Sequence, residues 1–215
     1  DQRERSMSAK TARKPKAGKS PKSVKSPDSP ASAKSPDRLP GEPTLDQLVD
    51  RVIRVDHAGE YGAVRIYEGQ LAVLGKRAPQ PVIEHMLEHE KAHLATFDQL
   101  INERRVRPTA LMPLWHVAGF ALGAATAMMG EKAAMACTVA VEEAIEEHYL
   151  DQIEALEPHK DEAALRETCV KFRGEELEHR ETGLAHGAEQ APGYTALTGA
   201  IKAGSKLAIW LSSRV

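Results

Sequence analysis

The chain of 215 residues has a formal charge of −2, but this near-neutral total combines two parts of opposite charge. Residues 1–43 contain seven Pro, eight Ser and eleven Lys or Arg against five Asp or Glu, and no aromatic residue. Residues 44–215 hold the other 18 basic and 26 acidic residues, and they are long enough to bury one sizeable core. The two cysteines, Cys137 and Cys169, give neither a disulfide framework nor the spacing of a zinc site.

Residues 1–43 are typical of a disordered segment, because a Lys-Ser-Pro triplet recurs at residues 19–21, 25–27 and 34–36 and few apolar side chains are available for burial. We predict a solvated basic linker with no specific partner and no nucleic-acid target. Its positive charge leaves contact with anionic lipid or nucleic acid as the less favoured alternative. A transit peptide is the weaker interpretation, since the segment lacks an apolar face.

From Pro43 onward, apolar residues recur at helical spacing and no long strand-like alternation interrupts them. The first predicted helix begins at Leu45 and ends before Gly75. Five more helices are predicted at about 81–104, 111–129, 131–157, 161–187 and 195–213, with Gly and Pro residues near most of their ends. The sequence therefore predicts an all-α bundle, with residues 44–215 as its domain.

A Glu-x-x-His pair occurs in the second predicted helix and again in the fifth, where residues at i and i+3 share one face. A lone glutamate lies in the helix before each pair, 30 residues upstream in the first case and 34 in the second. We therefore interpret residues 44–104 and 131–187 as a structural duplication with the ligand pattern of di-iron carboxylate bundles. The candidate metal ligands are Glu60, Glu90, His93, Glu142, Glu176 and His179.

Four carboxylates and two imidazoles suit iron or manganese far better than metals that prefer thiolates. The four negative charges balance two divalent ions, so such a site can be buried without a large unpaired charge. Solvated helix faces remain the better interpretation for the neighbouring glutamates Glu143, Glu146, Glu147, Glu175 and Glu178. The predicted arrangement has Glu60 and His93 at one end, Glu142 and His179 at the other, and Glu90 and Glu176 as bridges.

The segment 54–63, RVDHAGEYGA, closely resembles the first-helix signature of the demethoxyubiquinone hydroxylases of ubiquinone biosynthesis. The similarity covers residues 48–215, with further matching segments at 105–109, 111–115, 119–124, 134–143 and 175–179. All six ligand positions of the family motif are occupied in this chain. The basic residues 1–43 are the clear departure from the family pattern.

This resemblance implies a ferritin-like di-iron monooxygenase that hydroxylates the benzoquinone ring of a polyprenylated ubiquinone precursor. It implies two iron ions, dioxygen as cosubstrate and NADH as the electron donor. It also implies a peripheral position on a membrane and a partner protein that presents the lipid. The cytoplasmic face of a bacterial cell membrane and the matrix face of the mitochondrial inner membrane both fit, and assembly into a homo-oligomer stays open.

Two residues that follow the second lone glutamate are candidates for a catalytic role. His148 and Tyr149 lie six and seven residues after Glu142, so Tyr149 is expected near the face of Glu142, two turns away. We predict that both tune the delivery of electrons or protons. The alternative is that they only orient the metal ligands through hydrogen bonds.

Residues 108–130 carry no formal charge for 23 positions, which is long enough for a transmembrane helix. A single crossing would place the two halves of the ligand set on opposite sides of the membrane. We therefore predict that the apolar helix 111–129 lies within one leaflet, and that Trp210 in the last helix 195–213 adds an interfacial face. The predicted fold is a ferritin-like four-helix bundle with two additional membrane-associating helices; core or oligomer-interface helices are the alternative.

Other classes of protein could use the same residues. One is a soluble ferritin-like oxidase, peroxidase or iron-handling protein, which would need no lipid-facing helix. Another is a lipid-binding scaffold whose metal site is vestigial, although the complete ligand set argues against it. The letters His89-Glu90-x-x-His93 also match a zinc hydrolase motif, but the other ligands explain Glu90 better as a metal ligand than as a general base.

Overall fold

Six α-helices run through residues 41–75 and 79–215, the part of the chain that the computed structural model describes. The all-α prediction is confirmed, and each predicted helix is present with its ends within two residues of the expected positions. The prediction of a disordered linker falls mainly on residues 1–40, outside the described residues. The helices are α1 (Leu45–Leu74), α2 (Gln80–Arg104), α3 (Met112–Met128), α4 (Glu131–Leu156), α5 (Ala163–Ala185) and α6 (Tyr194–Ser212), with short 3₁₀ turns at Lys160–Glu162 and Ala188–Gln190.

Local sequence explains where α1 begins and ends. The Thr44 hydroxyl accepts a hydrogen bond from the backbone N–H of Gln47 at 3.2 Å, and the Gln47 side chain accepts one from the backbone N–H of Thr44 at 2.9 Å. This capping box satisfies two backbone donors that the first helical turn leaves unpaired. Gly75 ends the helix at a φ of 57°, in the left-handed region that favours glycine.

The helices form two units of three that resemble each other in connectivity. Helices α1 and α2 pair as one hairpin, with α3 packed along α1. Helices α4 and α5 pair as a second hairpin, with α6 packed on α4. The two hairpins form the four-helix bundle, and each is followed by a third helix that packs on its first helix. The duplication of residues 44–104 and 131–187 stays a prediction.

Two apolar clusters fill the bundle on either side of its middle. Buried residues of the first include Val64, Met86 and Val139, and those of the second include Ile53 and Phe172. On all four bundle helices the candidate ligands fall between the stretches that form these clusters. The six candidate ligands therefore lie in the interior, shielded from water along the bundle axis.

Glycines allow α3 to approach α1 at backbone distance. A Cβ atom on Gly123 would collide with the carbonyl oxygen of Ile66, and one on Gly69 would collide with the carbonyl oxygen of Phe120. A Cβ atom on Gly119 would lie 2.9 Å from the carbonyl oxygen of Gly62. Both helices thus contribute small residues to this contact, which explains the glycine content of the apolar segment.

The outer sides of α3 and α6 expose large apolar side chains. Val117 is 64% exposed, Leu207 56% and Trp210 51%. Lys202 of α6 lies 2.6 Å from a carboxylate oxygen of Glu147 in α4, so this lysine is held toward the bundle. No helix in the ranges 41–75 and 79–215 combines the length and the apolarity that a membrane crossing needs. Association of α3 and α6 with a membrane stays a prediction.

Candidate metal centre

The structure brings all six candidate ligands together in the middle of the bundle. They form two overlapping groups in which one donor atom from each residue lies within 4.8 Å of the others. Glu90 and Glu176 belong to both groups, and every side chain in the cluster belongs to a residue at most 3% exposed. We call the pair Glu60 and His93 the Glu60 end, and the pair Glu142 and His179 the Glu142 end.

Unpaired polar atoms concentrate in this cluster. Among the described residues, 12 buried side-chain nitrogen and oxygen atoms have no hydrogen-bond partner, and eight of them belong to the six candidate ligands. Buried polar atoms are normally paired, so this concentration points to a ligand. The atoms are both carboxylate oxygens of Glu90 and of Glu176, one oxygen each of Glu60 and Glu142, and Nδ1 of His93 and of His179.

These atoms are the donors that a dinuclear site requires. Each shared glutamate offers both oxygens, and each lone glutamate offers one. The Nδ1 atom of His179 lies 3.0 Å from an oxygen of Glu90, and Nδ1 of His93 lies 3.2 Å from an oxygen of Glu176. The residues therefore fit two metal ions of the kind that accept oxygen and imidazole ligands.

Burial and mutual repulsion shift the pKa values of the clustered carboxylates. Burial, followed by the nearby charge of Glu176, raises the pKa of Glu90 and of Glu142 well above the usual range. The pKa of Glu176 shifts in the opposite direction. Burial alone would raise this pKa, but hydrogen bonds from the neighbouring His179 and His93 outweigh burial and lower it to about 2. Metal ions would replace the protons and imidazolium charges that balance these carboxylates.

Tyr149 is buried on α4 two turns after Glu142, and its hydroxyl contacts the cluster. The hydroxyl donates a hydrogen bond to Oε1 of Glu60 in the first half of the chain. Tyr67 makes the equivalent contact in reverse, since its hydroxyl donates to Oε1 of Glu142 at 2.6 Å. Each tyrosine therefore links its own half to the lone glutamate of the other half.

Sequence reasoning missed Tyr67, although a signal was present. Tyr67 follows Glu60 by seven residues, as Tyr149 follows Glu142 by seven. A duplication that repeats the ligands also repeats the residues that support them. Burial, followed by the nearby charge of a glutamate, raises the pKa of both hydroxyls, so each tyrosine stays a hydrogen-bond donor at neutral pH.

His148 contacts polar residues next to the cluster. Its Nε2 atom lies 2.8 Å from Nε2 of Gln152 and 3.7 Å from Oδ1 of Asp56. The same Gln152 amide donates to Asp56 at 2.6 Å. Burial lowers the pKa of His148 to about 4, so its imidazole is neutral at physiological pH. Asp56, Gln152 and His148 thus form a polar group on the Glu60 side of the bundle.

The outer nitrogen of each candidate histidine also has a partner that the sequence did not reveal. The expectation of a solvated position is wrong for Glu175, because its carboxylate contacts His93. Nε2 of His93 lies 2.6 Å from Oε2 of Glu175, and Nε2 of His179 lies 3.2 Å from Nδ1 of His89. Glu175 and His89 each precede a shared glutamate in the sequence. A hydrogen bond at the outer nitrogen fixes the ring orientation of a metal-ligating histidine.

A cavity of about 330 Å³ lies beside the cluster, between α1, α3, α4 and α6. Small and apolar side chains dominate its lining, with serine from α6 as the polar exception. Gly59 and Val141 line it and are the sequence neighbours of Glu60 and Glu142. The cavity has the volume of a small-molecule site and reaches the same level of the bundle as the candidate ligands.

A four-helix bundle with a lone glutamate on two helices and a Glu-x-x-His pair on the other two has the design of ferritin-like dinuclear carboxylate proteins. Within that class the chain matches one family. The model of the family described as ubiquinone biosynthesis protein COQ7 matches residues 47–212. The chain belongs to this family, which confirms the resemblance seen in the sequence.

Relatives in bacteria and in mitochondria share most of the chain. A Rhodospirillum rubrum protein named 3-demethoxyubiquinol 3-hydroxylase is 63% identical over 180 residues, covering 83% of this chain and 84% of the relative. A human protein named NADPH-dependent 3-demethoxyubiquinone 3-hydroxylase, mitochondrial, is 56% identical, covering 80% of this chain and 82% of the relative. A Saccharomyces cerevisiae protein named 5-demethoxyubiquinone hydroxylase, mitochondrial, is 43% identical, covering 78% of each chain.

Proposed function

We propose that this protein is a di-iron monooxygenase that hydroxylates the benzoquinone ring of a polyprenylated demethoxyubiquinone in ubiquinone biosynthesis. The observation that carries the proposal is the set of eight unpaired donor atoms, on six buried residues, in a chain of this family. The names of the relatives support the substrate and the reaction. The alternative of a soluble iron-handling protein gains no support from those names.

We assign the metal as iron because the reaction inserts oxygen from dioxygen and the donors are four carboxylates and two imidazoles. Iron with such ligands supplies redox activation of dioxygen when it is bound. Glu60, Glu142 and the two histidines would hold the ends, and Glu90 and Glu176 would bridge them. Four carboxylates balance two divalent charges inside an apolar bundle.

The residues around the cluster have defined tasks in this proposal. Tyr149 and Tyr67 hold the lone glutamates by hydrogen bonds that reduce the freedom of each carboxylate. His148 and Gln152 lie between Asp56 and the partly exposed side of the bundle, which supports a role for His148 in moving protons toward the Glu60 end. The apolar clusters on either side of the candidate ligands exclude water from the metal centre along the bundle axis.

The cavity beside the cluster is the proposed site of the quinone ring. Its lining of small and apolar residues suits a ring with an isoprenoid tail, and its 330 Å³ volume approximately fits the ring with only part of a long tail. Helices α3 and α6 line it and also expose Val117, Leu207 and Trp210. We propose that these helices rest on a membrane surface, from which the lipid tail reaches the cavity.

Electrons must come from outside, since the insertion of one oxygen atom from dioxygen requires two of them. The sequence suggested NADH, whereas the names of the human and other mammalian relatives specify NADPH. We propose a nicotinamide nucleotide as the donor, and parallel assays with NADH and NADPH will identify which one is used. A lipid-presenting partner and a homo-oligomer are further proposals that co-purification and sedimentation will test.

The decisive experiment is a single turnover with heavy dioxygen. The protein is loaded anaerobically with iron, reduced chemically, and mixed with a short-chain demethoxyubiquinone analogue and ¹⁸O₂. One heavy oxygen atom in the quinone, seen by mass spectrometry, is the expected result. Glu176→Ala is the control, which should hold less iron and give no labelled product. Iron oxidation without labelled quinone would contradict the proposal and favour an oxidase.

A further inference from the structure

We propose that the two ends of the metal centre bind their ions with unequal affinity, and that the Glu60 end binds more tightly than the Glu142 end. This inference rests on the proposed dinuclear centre and adds a property that the duplication alone does not predict. The difference arises from the residues that hydrogen-bond the outer nitrogens of the two histidines. Glu175 is therefore a positioning residue for the metal at the Glu60 end.

The two ends share most of their surroundings. Each has a lone glutamate whose Oε1 accepts a hydrogen bond from a tyrosine, Tyr149 at Glu60 and Tyr67 at Glu142. Both ends also share the two bridging glutamates. Because these contacts are repeated, they give the two ions similar ligands.

The residues before the bridging glutamates differ between the halves. At the Glu60 end, Nε2 of His93 lies 2.6 Å from a carboxylate oxygen of Glu175. At the Glu142 end, Nε2 of His179 lies 3.2 Å from the Nδ1 atom of His89. Equivalent positions in the two halves thus carry a carboxylate in one case and an imidazole in the other.

The position of the proton follows from the geometry of the cluster. Nδ1 of His93 and Nδ1 of His179 face the bridging glutamates, and an imidazole nitrogen ligates a metal only when it carries no proton. The outer Nε2 then carries the proton and donates it. His93 donates to a carboxylate, whereas His179 donates to a neutral acceptor.

A hydrogen bond to a carboxylate is shorter and stronger than one to a neutral acceptor, in agreement with the two distances. It makes the imidazole a more basic ligand, and changes in such partners typically alter metal affinity by about 10-fold to 100-fold. Glu175 also adds a negative charge near the Glu60 end. Both effects favour a cation there.

Two neighbouring groups could offset the difference between the ends, but neither does so. Lys171 lies 3.6 Å from the other carboxylate oxygen of Glu175, but its side chain is 67% exposed, so water screens its charge. At the Glu142 end, His89 packs edge-on against His85 with 4.4 Å between the ring centroids. A second imidazole adds no negative charge, so the inequality between the ends remains.

The test is a titration of the metal-free full-length chain with Mn²⁺, which binds oxygen and imidazole ligands and is stable in air. Calorimetry should resolve two binding steps that differ by about 10-fold to 100-fold in affinity. In crystals prepared with one equivalent of Mn²⁺, anomalous scattering should locate the ion at the Glu60 end. Equal occupancy of both ends, or filling of the Glu142 end first, would overturn the inference.

Matched variants will test whether Glu175 causes the difference in affinity between the two ends. Glu175→Gln should weaken the first step by about 10-fold to 100-fold and bring the two steps together, whereas Glu178→Gln, at an exposed residue of the same helix, should leave both steps unchanged. An unchanged isotherm for Glu175→Gln would overturn the role of Glu175. Absence of any Mn²⁺ binding by the unaltered chain would instead overturn the metal centre itself, so the two failures are distinguishable.

Discussion

Tyr67 and Tyr149 occupy equivalent places in the two halves, and each donates a hydrogen bond to the lone glutamate of the other half. The contact therefore does more than orient one carboxylate. It connects α1 to α4 at two points inside the bundle, one on each side of the bridging glutamates. Because the hydroxyls touch candidate ligands, their removal should alter metal binding before it alters the fold.

Tyr67→Phe and Tyr149→Phe should each reduce Mn²⁺ affinity, by about 10-fold, because each removes a hydrogen bond that orients a ligand. Helical content, measured by circular dichroism, should remain that of the unaltered protein. If Tyr149 also participates in electron or proton delivery, Tyr149→Phe will reduce the turnover number of the metal-saturated enzyme more than Tyr67→Phe. Equal reductions would restrict both residues to orienting ligands.

Asp56 is a buried carboxylate next to the cluster, and burial raises its pKa well above 3.8. The unfolded chain ionises this group near pH 3.8, whereas the folded chain resists ionisation, so the group destabilises the fold increasingly as pH rises between those two pKa values. Asp56→Asn keeps an acceptor for Gln152 and removes the charge. It should therefore stabilise the metal-free protein at pH 8 by on the order of 1 kcal/mol.

Urea unfolding of the metal-free protein at pH 5 and pH 8 will test this sign. The free energy of unfolding of Asp56→Asn should exceed that of the unaltered protein by more at pH 8 than at pH 5. Asp161→Asn is the matched control, because Asp161 is exposed and its replacement should change stability by less than about 0.5 kcal/mol at either pH. A constant difference across pH would show that Asp56 ionises normally in the fold.

At the scale of helices, periodic apolar residues and Gly or Pro breaks were sufficient to locate all six elements. The i, i+3 spacing within α2 and α5 also placed each glutamate beside its histidine. Contacts between helices were harder to predict, because they depend on how two helices rotate against each other. The hydrogen bonds of His89 with His179 and of Tyr149 with Glu60 join different helices, so they were identified only from the structure.

Replacement of glycine by alanine should change the free energy of unfolding in opposite directions inside and outside the contact between α1 and α3. Gly123→Ala should destabilise the protein by about 1–3 kcal/mol, because the added Cβ would collide with the backbone of α1. Gly174→Ala, in the middle of α5, meets no atom within 4 Å and should stabilise the protein by about 0.5–1 kcal/mol. Thermal unfolding will measure the stability of both variants. Similar changes in stability at the two positions would exclude the close approach of α3 to α1.

The exposed face of α3 should contribute to membrane binding. Val117→Glu adds a charge to a side chain that is 64% exposed, and it should reduce binding to phospholipid vesicles by about 10-fold, or 1.4 kcal/mol. Val170→Glu makes the same change on α5 at a residue that is 48% exposed, and should leave vesicle binding unchanged. Co-sedimentation with vesicles will measure the binding of both variants. An equal loss of vesicle binding in the two variants would indicate a nonspecific effect of the added charge.

At the scale of the whole molecule, each candidate metal position draws ligands from both halves of the chain. The group at the Glu60 end includes Glu176 from α5, and the group at the Glu142 end includes Glu90 from α2. Two bound ions would therefore join the hairpin α1–α2 to the hairpin α4–α5. Metal binding should accordingly stabilise the bundle as a unit, and we expect the apolar clusters on either side to keep the chain folded after metal removal.

The size of this stabilisation should depend on pH. In the metal-free fold, burial raises the pKa of Glu90 and Glu142, and the carboxylates of Glu176 and Glu60 outweigh burial to raise the pKa of His93 to about 11. Because the folded state holds these protons more tightly than the unfolded chain, Glu90 and Glu142 lower the free energy of unfolding as pH rises above the unfolded pKa near 4.5. The stability that protonated His93 contributes is complete below pH 6.5 and is lost as pH rises toward 11.

Metal ions compete with these protons, so the difference in melting temperature between Mn²⁺-saturated and chelator-treated protein should increase from pH 5.5 to pH 8. At a fixed free Mn²⁺ concentration that is 100 times the dissociation constant at pH 8, each bound ion adds about 2.7 kcal/mol, which corresponds to roughly 5–10 °C for a domain of this size. Glu176→Ala should show little dependence on Mn²⁺ at either pH. A gain that falls with rising pH would mean that the ions bind elsewhere, because only deprotonated carboxylates and imidazoles can act as their ligands in this bundle.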